Sequence, residues 1–163
     1  MIDRALSIFG TIPNTYYQER TNALNNAGRI YGELGLPEQS LAFYEESIRV
    51  GKEGLGPRHP DTVVSMFNIA QRYLGLGDYH RALEMYKEVE DVWLETLGEK
   101  HPWLAMCRNS IGKANLYLGN YQTGYDLCSK ALQTLQESQG TEHPWCEIIA
   151  ENIAYAKEKL EME

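Results

Sequence analysis

Apolar residues recur along most of the chain at intervals of three and four. From Pro60 onward, Val63, Val64, Met66, Phe67, Ile69, Ala70, Tyr73 and Leu74 repeat with the helical period, and Gly75 and Gly77 close the segment. A second stretch opens at Asp78-Tyr79. It carries Ala82, Leu83, Met85, Tyr86, Val89, Val92 and Trp93 on its apolar side and ends at Leu97-Gly98. A short loop then leads to Pro102, whose missing N–H would have no partner in a first helical turn. One unit is therefore a helix, a tight turn, a longer helix and a short loop. The same pattern predicts helices over 16–34, 37–54, 60–75, 79–97, 102–117, 121–139 and 144–160.

The units repeat. His59-Pro60, His101-Pro102 and His143-Pro144 are spaced by 42 residues, with Gly56, Gly98 and Gly140 three residues ahead of each histidine. At that offset Asn26, Asn68, Ser110 and Asn152 align, as do the turn glycines Gly35, Gly77 and Gly119. A fixed period of this size marks an array of stacked supersecondary units, which favours binding over catalysis. The array is expected to be one domain over 1–163. It consists of a partial unit 1–15, full units at about 16–59, 60–101 and 102–143, and a final helix 144–160. The stretch 3–9 reads as the end of a second helix, because Ala5 falls in the column of Ser47, Val89 and Ala131. Both ends fall within a unit. Two readings follow: a piece of a longer array, or a small protein whose charged final helix (157–163) caps the stack.

Composition narrows the chemistry. With 163 residues, 43% of them hydrophobic, the chain can bury a continuous core. A net charge of −8 argues against nucleic acid or an anionic membrane as partner, and no apolar run is long enough to span a bilayer. Cys107, Cys128 and Cys146 form no ligand or disulfide pattern, so they read as buried thiols of a cytoplasmic protein. Equivalent histidines in stacked helical units lie at least about 8–10 Å apart. Zinc ligands sit about 2 Å from their ion. The three loop histidines are therefore expected to pack or hydrogen-bond beside each proline, with no metal and no cofactor. His80 stands alone at a helix start and reads as solvated. No nucleophile elbow, phosphate loop or metalloprotease motif occurs, and no enzyme is expected.

The order Asn68, Ala70, Tyr73, Gly77, Tyr79, Ala82 and Tyr86 resembles the tetratricopeptide repeat signature. The 42-residue period and the Leu-Gly-x-x-His-Pro loop resemble the variant seen in kinesin light chains. This resemblance implies an all-α fold, a right-handed α-solenoid of antiparallel helix pairs, whose first helices line a concave groove. Several positions depart from the signature: Pro37 replaces the turn tyrosine, Ser40 and Gly124 replace the packing alanine, and Asn115 stands in a tyrosine column. Gly124 implies either looser packing or a closer helix approach.

The groove columns implied by the resemblance carry Asn22, Asn25, Asn26, Arg29 and Glu33, then Val64, Phe67, Asn68, Gln71 and Gly75. They continue through Met106, Asn109, Ser110, Lys113 and Tyr117 to Ile148, Glu151, Asn152, Tyr155 and Lys159. Amides can clamp an extended peptide backbone, Arg29, Lys113 and Lys159 suit an acidic group, and Phe67, Tyr117 and Tyr155 suit an apolar anchor. Each has a structural alternative. Asn26, Asn68 and Asn152 can tie neighbouring helices together, Phe67 can be core, and the cations can be a solvated face. The expected partner is a protein or peptide with acidic and apolar anchors. The alternative is a spacer that exists as a monomer or associates weakly end to end. Trp103 and Trp145, each following a His-Pro, pack on the preceding loop or form a second apolar contact surface.

Overall fold

A computed structural model describes residues 4, 7, 8, 11 and 16–162. Ala5, which carried the expectation of an N-terminal helix end, lies outside the described residues. Among the described residues the chain is a series of helices: α1 (Tyr17–Glu33), α2 (Pro37–Gly54), α3 (Pro60–Gly75), α4 (Tyr79–Leu97), α5 (Pro102–Tyr117), α6 (Tyr121–Gln139) and α7 (Pro144–Glu161). The fold is an all-α repeat. Its helices form two compact units, which divide between Leu76 and Gly77. Helix limits match the sequence pattern closely; α1 is one residue shorter at each end and α7 one longer.

The repeated punctuation has a physical basis. His59, His101 and His143 are the N-caps of α3, α5 and α7, and each is extended in φ and ψ. The Nδ1 atom of each accepts the backbone N–H two residues on, from Asp61, Trp103 and Trp145 at 3.3, 3.2 and 3.2 Å. This side-chain acceptor satisfies a donor that the first helical turn leaves unpaired, and the proline that follows needs none. The turn glycines Gly35, Gly77 and Gly119 have φ of 71°, 84° and 82°, a region that side-chain-bearing residues avoid.

In the first unit, the contact between α1 and α2 is a close one. A Cβ on Gly28 would stand 2.9 Å from the Tyr44 ring, so the missing side chain is what admits the tyrosine. Ser40, at the packing-alanine position, is buried, and its hydroxyl donates to Gly28 O at 2.7 Å. Ser47 donates to Thr21 O at 2.8 Å and lies 2.9 Å from the hydroxyl of Ser65 on α3. Leu24, Phe43 and Val50 fill the space between, with Tyr31 stacked on Phe43 at 5.0 Å.

In the second unit, α5 and α6 approach through two glycines. A Cβ on Gly112 would lie 2.6 Å from Cys128 Sγ, and one on Gly124 would lie 2.3 Å from Leu116 Cδ2 and 3.0 Å from Gly112 O. Of the two readings of Gly124, the structure takes the closer approach. Asn115 bonds locally instead of packing as a tyrosine: it donates to Ile111 O at 2.9 Å and accepts from Asn120 at 3.2 Å. The three cysteines are buried and free. Burial pushes the Cys107 thiol well up and the Cys128 thiol up to about 12, so both stay protonated and unreactive.

One charged cluster was hidden from the repeat pattern. Arg108 on α5 is buried in a column that holds Met66 and Ala150 elsewhere. Its guanidinium reaches Glu90 of α4 at 2.7 Å and Glu99 of the following loop at 2.6 Å, and Lys130 of α6 meets Glu99 at 3.2 Å. These bonds, above all the one from Arg108, hold the Glu99 carboxyl down at about 2.

Two expectations follow. Gly124→Ala should destabilise the chain by about 1–3 kcal/mol through overpacking. Helix propensity alone predicts a gain of about 1 kcal/mol, so the sign of the change in urea-unfolding free energy decides between close approach and loose packing. The low Glu99 value means that its contribution is complete above the ordinary carboxylate range and fades as pH falls toward about 2. Glu99 is half exposed, so the contribution is at most about 1 kcal/mol. Glu99→Gln should remove that part of the acid slope in unfolding measured from neutral pH downward, with little change in its shape elsewhere.

Candidate interaction surface

The first helices carry the polar columns, and the two units treat them differently. In the first unit Asn68 Nδ2 on α3 donates to Asn25 Oδ1 on α1 at 2.9 Å. In the second, Asn152 Nδ2 on α7 donates to Asn109 Oδ1 on α5, also at 2.9 Å. Each bond joins residues 43 apart, one more than the repeat period. The amide column is thus tied to the residue ahead of its own equivalent in the preceding unit. Asn25 and Asn109 are the partners, while Asn26 is exposed. The remaining member of the column, Ser110, is buried and its hydroxyl donates to Met106 O at 3.0 Å.

Two expected surface residues are corrected by their burial. Phe67 is 4% exposed and belongs to the core; it offers no pocket wall to a ligand. Asn109 is 3% exposed, and its side-chain oxygen is occupied by Asn152. Asn22, Asn26, Arg29 and Gln71 of the first unit are exposed, and Asn25 and Asn68 are half-buried. Arg29 forms an i,i+4 pair with Glu33 at 2.6 Å, with both side chains more than half exposed. Such a pair adds only a few tenths of a kcal/mol, roughly 0.3–0.5, and so leaves the guanidinium easily recruited.

The second unit brings its predicted residues together. Tyr117 at the end of α5 and Tyr155 on α7 face one another with ring centroids 6.4 Å apart. Lys113 stands 5.9 Å over the Tyr117 ring, and Lys159 stands 5.3 Å over that of Tyr155. Tyr79, at the first turn of α4, stacks on Tyr117 at 5.0 Å and extends the row. Tyr117 and Tyr155 remain 46% and 38% exposed. Cation–π attraction holds each ammonium at a ring face while leaving its N–H donors available to an anion. Tyr79 was absent from the expected columns because it lies on a second helix; its signal was the position after Asp78, directly beyond the turn glycine.

The family model for the tetratricopeptide repeat matches residues 19–94 and 76–123. Among solved structures, one of similar fold is that of nearly identical TPR-like repeats of a kinesin light chain candidate from Podosopora anserina. It has a TM-score of 0.77 and 20% identity, over 86% of this chain and 66% of that one. BtubC (BKLC) from P. vanneervenii gives a TM-score of 0.84 at 17% identity, over 98% of this chain and 63% of that one. The N-terminal domain of stress-induced protein-1 from C. elegans gives 0.63 at 14% identity, over 88% and 97%. The chain spans less than two thirds of the first two structures. No curated protein matches significantly.

The two amide bonds predict a contrast. Asn152→Ala removes the donor to a buried oxygen and should cost about 1–3 kcal/mol. Asn26→Ala, in the same column but exposed, should leave the thermal midpoint and the unfolding free energy within error of the parent chain.

Proposed function

Because the chain belongs to the tetratricopeptide repeat family, whose members generally mediate protein–protein interaction, we propose that it is a peptide-holding interaction module. Its ligand is a short protein segment with an acidic group and an apolar or aromatic anchor. The observation that carries this reading is the half-exposed tyrosine row of the second unit with two lysines poised over it. Rings of this exposure gain contact area from an apolar side chain, at low entropic cost because they are already held by neighbours. Lys113 and Lys159 supply charge-assisted hydrogen bonds to a carboxylate beside that anchor. Taken by itself, the first unit exposes Asn22, Asn26 and Gln71, whose donors and acceptors suit an extended backbone, together with the cation of Arg29.

As members of this repeat family generally do, the module works as a scaffold. Burial keeps the Cys107 and Cys128 thiols protonated. Free buried thiols suit a reducing compartment, and we place the protein in the cytoplasm. Among the described residues no helix is long and apolar enough to cross a membrane.

Lys113→Glu combined with Lys159→Glu should abolish retention of the chain's protein partner in affinity capture from source cells and leave the circular dichroism spectrum unchanged. Binding by the parent chain should weaken with added salt. Undiminished capture by the folded double variant would remove the lysine-flanked tyrosine row as the binding face.

A further inference from the structure

The opposite edge of the second unit carries a feature that the peptide-holding face does not use. Trp93 on α4, Trp103 at the start of α5 and Trp145 at the start of α7 form a continuous edge-to-face row. The centroids of Trp93 and Trp103 are 5.8 Å apart, and so are those of Trp103 and Trp145, with interplanar angles of 69° and 79°. The row is rooted: Trp93 is 5% exposed, and Trp145 packs on the cluster of Cys128, Ala131, Leu135 and Ile149. Its outer part is open, with Trp103 43% exposed. The Glu90–Arg108 ion pair ties α4 to α5, and the short loop 98–101 keeps the last turn of α4 near the first turn of α5. That turn bears Leu94 and Leu97, each 41% exposed. A core that needed only to seal the loop would not leave a tryptophan and two leucines half in water. Trp145 meets His143 of its preceding loop edge-on, with ring centroids 5.1 Å apart, whereas Trp103 meets the rings of the other two tryptophans.

Charge selects the occupant. Glu95 and Glu137 in the last turns of α4 and α6, Glu142 in the loop before α7 and Glu147 in its first turn are exposed, and Lys100 is the one lysine in the intervening loops. Glu99 is already held by Arg108 and Lys130. Helix N-termini and C-termini alternate along this edge, so their dipoles largely offset each other. A second copy docked edge to edge would bring like charges together, and an acidic peptide would be repelled. A lysine or arginine chain meets both features: its aliphatic stem covers indole and leucine, and its cation reaches a carboxylate or a ring face.

We propose that the Trp103–Trp145 edge is a second interaction surface that takes a basic, leucine-containing segment of a protein partner, separately from the acidic segment held by the tyrosine row. The test uses the full chain, a short synthetic peptide alternating lysine and leucine, and its glutamate–leucine counterpart, followed by tryptophan fluorescence and calorimetry. The lysine peptide should bind and change the tryptophan fluorescence, whereas the glutamate peptide, a ligand for the tyrosine row, should leave that fluorescence unchanged and lose its calorimetric signal in Lys113→Glu. Trp103→Ala should weaken lysine-peptide binding about tenfold, the loss expected for a desolvated cation–π contact with its packing. Glu142→Lys with Glu147→Lys leaves every ring in place and should weaken binding at least as much, so a folding defect in the tryptophan variant cannot decide the matter. Lys113→Glu should leave this binding unchanged. Equal binding of the lysine peptide to the parent chain and both variants, no binding at all, or loss through Lys113→Glu would each overturn the proposal. So would sedimentation showing a dimer of the parent chain that Trp103→Ala dissolves, because the edge would then belong to a second copy.

Discussion

The close contact of α1 with α2 in the first unit, and of α5 with α6 in the second, is the constraint on which the other features depend. A helix pair of this length buries enough apolar surface only if its two helices come close, and closeness requires small side chains at the crossing. Gly28 receives the Tyr44 ring in the first unit, and Gly112 and Gly124 bring α5 against α6 in the second. Where a serine stands at the crossing, its hydroxyl turns onto the facing backbone, as Ser40 does onto Gly28 O. A buried hydroxyl with a partner is tolerated at close range, whereas a larger apolar group is not. The crossing thereby fixes which residues of each first helix point inward and which are left at the surface.

Once a first helix is fixed in this way, its polar columns have little freedom. Asn25–Asn68 and Asn109–Asn152 join successive first helices and leave the residues one and two turns further along nearer the surface. In the second unit those residues are Lys113, Tyr117, Tyr155 and Lys159. The surface is therefore a by-product of packing register, and a shift of one residue at the crossing would turn the tyrosines away. The Arg108 cluster works to the same end, tying α4, α5, α6 and the intervening loop with bonds to two carboxylates. A single buried cation with several partners costs less than one with a single partner, because more of its donors are satisfied.

The helices were legible in the sequence because their limits are set locally. A histidine N-cap before proline and a positive-φ glycine after the last turn need no tertiary contact to act. The columns were legible too, since the period is constant. Less visible was everything decided between helices. The pattern ranked Asn26 with Asn68 and Asn152, yet Asn68 bonds to Asn25, because neighbouring helices are offset by one residue relative to the repeat. Phe67 lay in a surface column and is core, and Arg108 lay in a core column and is charged. Neither outcome follows from period alone; both depend on what the facing helix offers. Tyr79 joined the tyrosine row from a second helix, a contact that helical period cannot predict.

The second unit presents two aromatic clusters, and α5 holds one at each end. Trp103 is at its first turn beside Trp93 and Trp145, and Tyr117 is at its last turn beside Lys113. Fourteen residues of helix separate them by about 21 Å. The Debye length at physiological salt is about 8 Å, so each end acts on a ligand's charge with little influence from the other. Close packing at the Gly112–Gly124 crossing ties α5 to α6, so the two surfaces proposed above would be held apart by the length of a single helix.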